Sequence, residues 1–178
     1  MILIVNICKH NLHYFEFVKP IEDVLTKNNI EFETVYYKEL QKDMISNADK
    51  IIISGTSLKD NNFVKNLNVF EWVKDFEKPI LGICGGMQIL GLIYNGNYKR
   101  NQEVGLTKVD FKDEFLGLKK EVEVYELHNY YVESDDFEIF AKSRNCHQAV
   151  KHKNKPFYGV LFHPEVRNKK LLVKFAEL

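Results

Sequence analysis

The chain has 178 residues with 25 basic and 25 acidic side chains, so its formal net charge is zero, and 45% of it is hydrophobic. That much apolar material argues against disorder, and a balanced charge gives no ground for a nucleic-acid or anionic-membrane partner. No apolar run reaches the roughly 18 residues of a membrane span, and three widely spaced cysteines (Cys8, Cys84, Cys146) suggest neither a disulfide framework nor a zinc site, which fits a reducing cytoplasm.

Ile2 to Ile7 is a nearly continuous apolar run that reads as a first strand, covered on both faces, rather than as a signal peptide. Tyr14 to Leu25 presents a helical apolar face, with Pro20 marking a start or a kink. Glu31 to Tyr36 reads as strand, Leu40 to Asn47 as a weak helical turn, and Lys50 to Ser54 as another buried strand, ending in the flexible polar loop Ser54-Gly55-Thr56-Ser57. Asn61 to Phe76 predicts a helix with Val64, Leu67, Phe70, Val73 and Phe76 on one face. Ile80, Leu81 and Ile83 form a further strand, followed by a helix to about Tyr94. This alternation implies an α/β fold with a central, mostly parallel sheet flanked by helices, whose sites gather beyond the carboxyl ends of the strands. The second half changes character. Thr107–Phe111, Glu121–Glu126, Phe137–Ala141, Cys146–Lys151 and Phe157–Phe162 predict an antiparallel extension, and Asn168–Leu178 a final amphipathic helix.

The strand-to-helix junction is the most informative stretch. Cys84 lies between Gly82 and Gly86, where a sharp turn lifts a side chain out of a sheet and the N-terminus of the next helix favours a thiolate. The same residues also fit a buried structural cysteine between two packing glycines. Downstream, an apolar strand delivers His163, then Pro164 and Glu165. A cysteine nucleophile needs a base, and the base needs an orienting partner. Residues two apart in an extended segment point to one side, so Glu165 can lie along His163. Read alone, the segment is equally a surface His-Pro-Glu turn. Cys8 and Cys146 have neither an elbow nor a partnered histidine, and no histidine spacing indicates a metal site.

Taken together, Gly82-Ile83-Cys84-Gly85-Gly86-Met87-Gln88 and Phe162-His163-Pro164-Glu165 resemble the nucleophile and His/Glu motifs of class I (triad-type) glutamine amidotransferases. The resemblance covers nearly the whole chain, so residues 1–178 read as a single domain of this type. Lys155-Pro156-Phe157-Tyr158-Gly159-Val160 and the residues that follow are most similar to the separate glutaminase subunit of archaeal-type GMP synthases. The resemblance implies that Cys84, His163 and Glu165 hydrolyse L-glutamine to glutamate and ammonia, without a cofactor or metal. It implies an oxyanion hole made by Gly85 and the Gly55-Thr56 loop, and substrate contacts from Gln88 and from a short loop carrying His128, Asn129 and Tyr130. The implied partner is an ATP-dependent synthase subunit of the GMP synthase ATP-pyrophosphatase type, which aminates XMP to GMP.

The chain departs from the family pattern in places. Ser54-Gly55-Thr56-Ser57 stands where Ser-Gly-Gly-Pro is usual, Asn6-Ile7-Cys8-Lys9-His10 replaces an Asp-Asn-Gly-Gly-Gln type of loop, and Gly85 stands where leucine or tyrosine is commoner. A threonine blocks the oxyanion loop if the donor there needs a conformation open only to glycine. The alternatives are a stand-alone γ-glutamyl hydrolase or peptidase, an amidotransferase of another pathway, and a divergent non-catalytic regulatory subunit.

Overall fold

Apolar residues alternate between two cores on opposite faces of one sheet. Ile2, Ile4, Ile52, Leu81 and Ile83 pack on one side with Ile21, Leu25, Leu171 and Phe175. Leu3, Val5, Ile51, Ile53 and Ile80 pack on the other with Phe63, Phe70, Ile89 and Leu90. This is why the strands carry unbroken apolar runs: both faces are covered. The structure, a computed structural model, describes residues 1–178.

The strands are β1 (Ile2–Asn6), β2 (Phe32–Tyr36), β3 (Lys50–Ile53), β4 (Ile80–Ile83), β5 (Asn97–Phe115), β6 (Leu118–Glu133), β7 (Phe137–Lys142), β8 (His147–His152) and β9 (Phe157–Val160). They form a nine-stranded mixed sheet in the order β2-β1-β3-β4-β9-β8-β7-β5-β6. Pairing is parallel from β2 through β9 and antiparallel from β9 to β6. The helices are α1 (Asn11–His13), α2 (Lys19–Lys27), α3 (Lys42–Asn47), α4 (Gly85–Ile93) and α5 (Lys170–Ala176). A π-helical turn (Tyr14–Val18) joins α1 to α2, which carries Pro20 in its first turn, where the missing N–H costs nothing.

The structure revises three local expectations. Asn62–Lys74 is a 3-10 helix rather than an α-helix, interrupted at Asn66. Its apolar residues recur at intervals of three, the 3-10 period, and the Asn66 side chain donates to the Asn62 carbonyl at 2.7 Å, competing with the backbone ladder. Second, the short strands around Thr107 and Glu121 are parts of one long hairpin, β5–β6, turned by Leu116 and Gly117. Both residues have positive φ, 47° and 80°, as a tight primed turn requires. Third, His128, Asn129, Tyr130 and Tyr131 lie within β6, so a strand rather than a short loop carries them.

The return of β9 to the parallel half positions the site. β9 pairs in parallel with β4, with Ile83 opposite Val160, and the Cys84 N–H donates to the Val160 carbonyl at 2.7 Å. The chain segments that follow the two strands, Cys84 on one and Leu161 to His163 on the other, therefore emerge side by side at one edge of the sheet.

Candidate active site

Cys84 ends β4 and caps α4 with φ 47° and ψ −101°. A residue with a side chain in this region stores strain on the order of 1–3 kcal/mol, held by its surroundings. The surroundings are tight: a Cβ at Gly86 would collide with the Ile53 carbonyl oxygen, and one at Gly82 would meet the Gly86 carbonyl carbon at 2.5 Å. Helix α4 thus lies directly against β3 and β4. Gly85, the first residue of α4, has an N–H without a partner inside the helix. Ile7 and the Phe63 ring fill the space a side chain at Gly85 would take.

His163 and Glu165 are fully buried beside this elbow, with His163 Nδ1 2.7 Å from Glu165 Oε1. Glu165 reaches the ring through a turn instead of an extended segment: the Val166 N–H donates to the His163 carbonyl at 3.2 Å, with Pro164 at the corner. Phe17 stands against the imidazole at 5.3 Å between ring centroids. With Nδ1 engaged, Nε2 has no hydrogen-bond partner and is the nitrogen left for a thiol. Burial alone would depress the His163 pKa, but the charges of Glu165 and Cys84 and the short bond to Glu165 raise it well above the ordinary imidazole value.

Gly55 lies beneath the imidazole; a Cβ there would meet His163 Cε1 at 2.7 Å. Neither Gly55 nor Thr56 has positive φ, so threonine is compatible with the loop as it stands. The loop is buried at Ser54 to Thr56 and laced to the loop after β1. Ile7 N–H donates to Ser54 Oγ at 3.2 Å, Cys8 Sγ to the Gly55 carbonyl at 3.5 Å, and Lys9 N–H to Asp60 Oδ2 at 2.7 Å. Thr56 Oγ1 donates to the same Asp60 oxygen at 3.0 Å. Burial pushes the Cys8 thiol up to about 12, so it stays a protonated donor. The unusual first loop and the unusual third loop therefore make up one hydrogen-bonded unit.

β6 supplies the facing wall. The Tyr125 carbonyl accepts from the His163 N–H at 2.9 Å, and the Leu127 carbonyl lies 3.7 Å from Cys84 Sγ. Asn129 Nδ2 donates to the Leu58 carbonyl at 3.0 Å, and Gln88 Nε2 to the Tyr130 carbonyl at 2.7 Å. Tyr130 stacks on Tyr98 at 4.7 Å, and the His128 ring is taken up by Glu103 and Glu126. Gln88, Leu127, His128, Asn129 and Tyr130 line a pocket over Cys84 with Thr56, Leu58, Phe63 and Gly85, which leaves about 10 Å³ for the centre of a water-sized sphere. That is room for one water. The Asn129–Leu58 bond spans two of the pocket's lining residues.

The ten candidate site residues read from the sequence thus meet at one sheet edge, although Gln88 is bonded to β6 and His128 Nε2 faces Glu103 and Glu126, leaving His128 Nδ1 without a partner. Sequence reasoning missed Asp60, Phe17 and the Tyr125 and Leu127 carbonyls. Phe17 shows only as one more position on an apolar helix face, and the carbonyls carry no side-chain signature.

Comparison with known proteins fits this geometry. The family model for glutamine amidotransferase class-I matches residues 12–174. A glutamine-hydrolyzing GMP synthase subunit from Picrophilus torridus is 33% identical over 144 residues, covering 76% of this chain and 77% of that protein. Its counterpart from Thermoplasma volcanium is 30% identical over 154 residues, covering 82% and 76%. A solved structure of a Thermoplasma acidophilum protein, described as a candidate GMP synthase subunit, superposes with a TM-score of 0.87 at 26% identity, covering 99% of this chain and 92% of that one. No helix is long and apolar enough to cross a membrane. With a strand-to-helix cysteine, a buried His-Glu pair beside it and a family pattern spanning nearly the whole chain, this protein belongs to the class-I glutamine amidotransferases.

Proposed function

We propose that the chain is the glutaminase component of a two-subunit GMP synthase and that Cys84, His163 and Glu165 are its catalytic triad. The Cys84 thiolate attacks the side-chain amide carbon of glutamine. His163 gives its proton to the leaving nitrogen, releasing ammonia and leaving a γ-glutamyl thioester. It then takes a proton from water, which attacks the thioester and frees glutamate and the Cys84 sulfur. Glu165 holds the imidazole through Nδ1. The Gly85 N–H and the Gly55-Thr56 loop receive the oxyanion. Ammonia passes to an ATP-dependent synthase subunit that aminates XMP. The observation that carries the reading is the parallel pairing of β4 and β9, which brings a cysteine at φ 47° and a buried His-Glu pair to one edge. The relatives named as glutamine-hydrolyzing GMP synthase subunits support the acceptor.

The pocket over Cys84 is too small for glutamine, so binding it there requires the Leu58 segment to part from Asn129. The test is glutamate release from glutamine by the chain, with and without XMP and an ATP-pyrophosphatase-type synthase subunit. Turnover that depends on the synthase and disappears in Cys84→Ala is expected. Retained turnover in Cys84→Ala removes that residue from the mechanism, and coupling to an acceptor other than XMP overturns the pathway.

A further inference from the structure

On the β6 wall of the pocket and behind it lies a set of largely buried groups that the proposed reaction does not use. His128 Nε2 is 3.2 Å from Glu103 Oε2 and 3.3 Å from Glu126 Oε2. The His128 and Glu126 side chains are fully buried, and both Glu126 oxygens lack a hydrogen-bond partner. Cys146 joins them: the donor atoms of Glu103, His128 and Cys146 all lie within 4.8 Å of one another. They come from β5, β6 and the residue just before β8, so no local spacing in the sequence announces them.

A partly buried carboxylate, Glu103, and a fully buried one, Glu126, thus converge on one ring nitrogen. Glu103 also accepts from Ser143 Oγ at 2.8 Å and from Gln148 Nε2, whereas Glu126 has no other donor, and a buried carboxylate without a compensating charge is strongly unfavourable. Either a proton or a cation must make up the balance, and the distances favour a cation. A charge-assisted hydrogen bond in this molecule is short, as His163 to Glu165 shows at 2.7 Å. The His128 separations are longer. Nitrogen and oxygen ligands about 2.0–2.1 Å from a tetrahedral zinc stand about 3.3 Å apart. A sulfur donor beside an imidazole selects a zinc-class ion over magnesium or calcium. Outer donors are also present: Asn101 Nδ2 reaches Cys146 Sγ at 3.0 Å and Gln148 Nε2 reaches Glu103 Oε2 at 2.8 Å, the kind of contact that orients metal ligands.

We propose that Glu103, His128 and Cys146 form a structural site for one divalent transition metal of the zinc class, with the Glu126 carboxylate beside His128 adding negative charge. The ion clamps β5, β6 and the start of β8 together and takes no part in the triad's chemistry. The inference is independent of the acceptor and of the triad.

The test is metal content per chain after growth with zinc and dialysis, followed by cobalt(II) added to the metal-stripped protein. One ion per chain is expected, with a thiolate-to-cobalt charge-transfer band in the near ultraviolet. The band should survive Cys84→Ser and vanish in Cys146→Ser, and stripping should lower the thermal midpoint of the wild type. A wild-type chain that keeps no zinc and gives no cobalt band overturns the site, leaving protons to balance the carboxylates. So does a band lost in Cys84→Ser and kept in Cys146→Ser. The wild-type stoichiometry and band decide the matter even where the Cys146 variant does not fold.

Discussion

The parallel and antiparallel halves of the sheet solve different problems. From β1 to β9 the inner parallel strands are short and mostly apolar on both faces, and their packing sets the elbow. From β8 to β6 the strands are longer, half-exposed and polar inside, with Glu126, His128 and Gln148 buried. The first half holds the proposed triad. The second half contributes carbonyls, from Tyr125 and Leu127, that fix where those groups lie. Rigidity in this site thus comes from apolar packing on one side and from hydrogen bonding on the other, and the two respond differently to substitution.

The largest expected effect tests the apolar side's cargo. Glu165→Gln keeps the shape but loses the charge that holds His163, and kcat for glutamine hydrolysis should fall roughly 10²- to 10⁴-fold. The same variant tests a pH dependence. A folded pKa raised above the unfolded value of about 6.5 stabilises the protein fully below that value, and the contribution is lost as pH rises through the folded pKa. Wild-type stability in urea should therefore decline as pH rises from about 6.5 towards and through the raised His163 value, and Glu165→Gln should flatten that decline.

Next in size is a pair of apolar truncations, one in each half. Ile52→Ala in the buried parallel strand should cost about 2–5 kcal/mol in denaturant unfolding. Val104→Ala, on the exposed hairpin at 56% exposure, should stay within about 0.5 kcal/mol. Equal costs would erase the contrast between the halves. Gly55→Ala sharpens the boundary between them. Its Cβ meets His163 Cε1 at 2.7 Å, so about 1–3 kcal/mol of stability should go, with kcat falling more than KM changes. The smallest effect belongs to the clasp. Asn129→Ala removes one hydrogen bond to Leu58, about 1 kcal/mol, and should raise glutamine turnover by the chain without its synthase. Unchanged or lower turnover would mean that the clasp does not limit access.

What the sequence made legible follows the same division. Ile2 to Val5, Ile51 to Ile53 and Ile80 to Ile83 read as buried strands because each run feeds two cores. Cys84 and the His163-Glu165 pair read as chemistry because each lies in a contiguous motif. Of the outer hairpin only Thr107–Phe111 and Glu121–Glu126 read as strand; Asn97 to Glu103 is polar, and Val104 and Leu106 are exposed, so no burial pattern marks its first part. The His163-Glu165 geometry was legible in its members and misread in its backbone, since Pro164 makes a turn where alternation suggested extension. Asp60, which ties the loops after β1 and β3, is one carboxylate among many until the fold brings Lys9 and Thr56 to it.

The central claim is that one thiol, at the β4 elbow, does the chemistry while Cys8, nearby and held protonated, does not. Its most direct test is labelling of the chain, in complex with its synthase, by an electrophilic glutamine analogue, with the adduct located by peptide mass spectrometry. One adduct per chain is expected, on Cys84, prevented by excess glutamine and absent in Glu165→Gln at short times. An adduct on Cys8 or Cys146, or labelling of Cys84 that glutamine does not suppress, would contradict it.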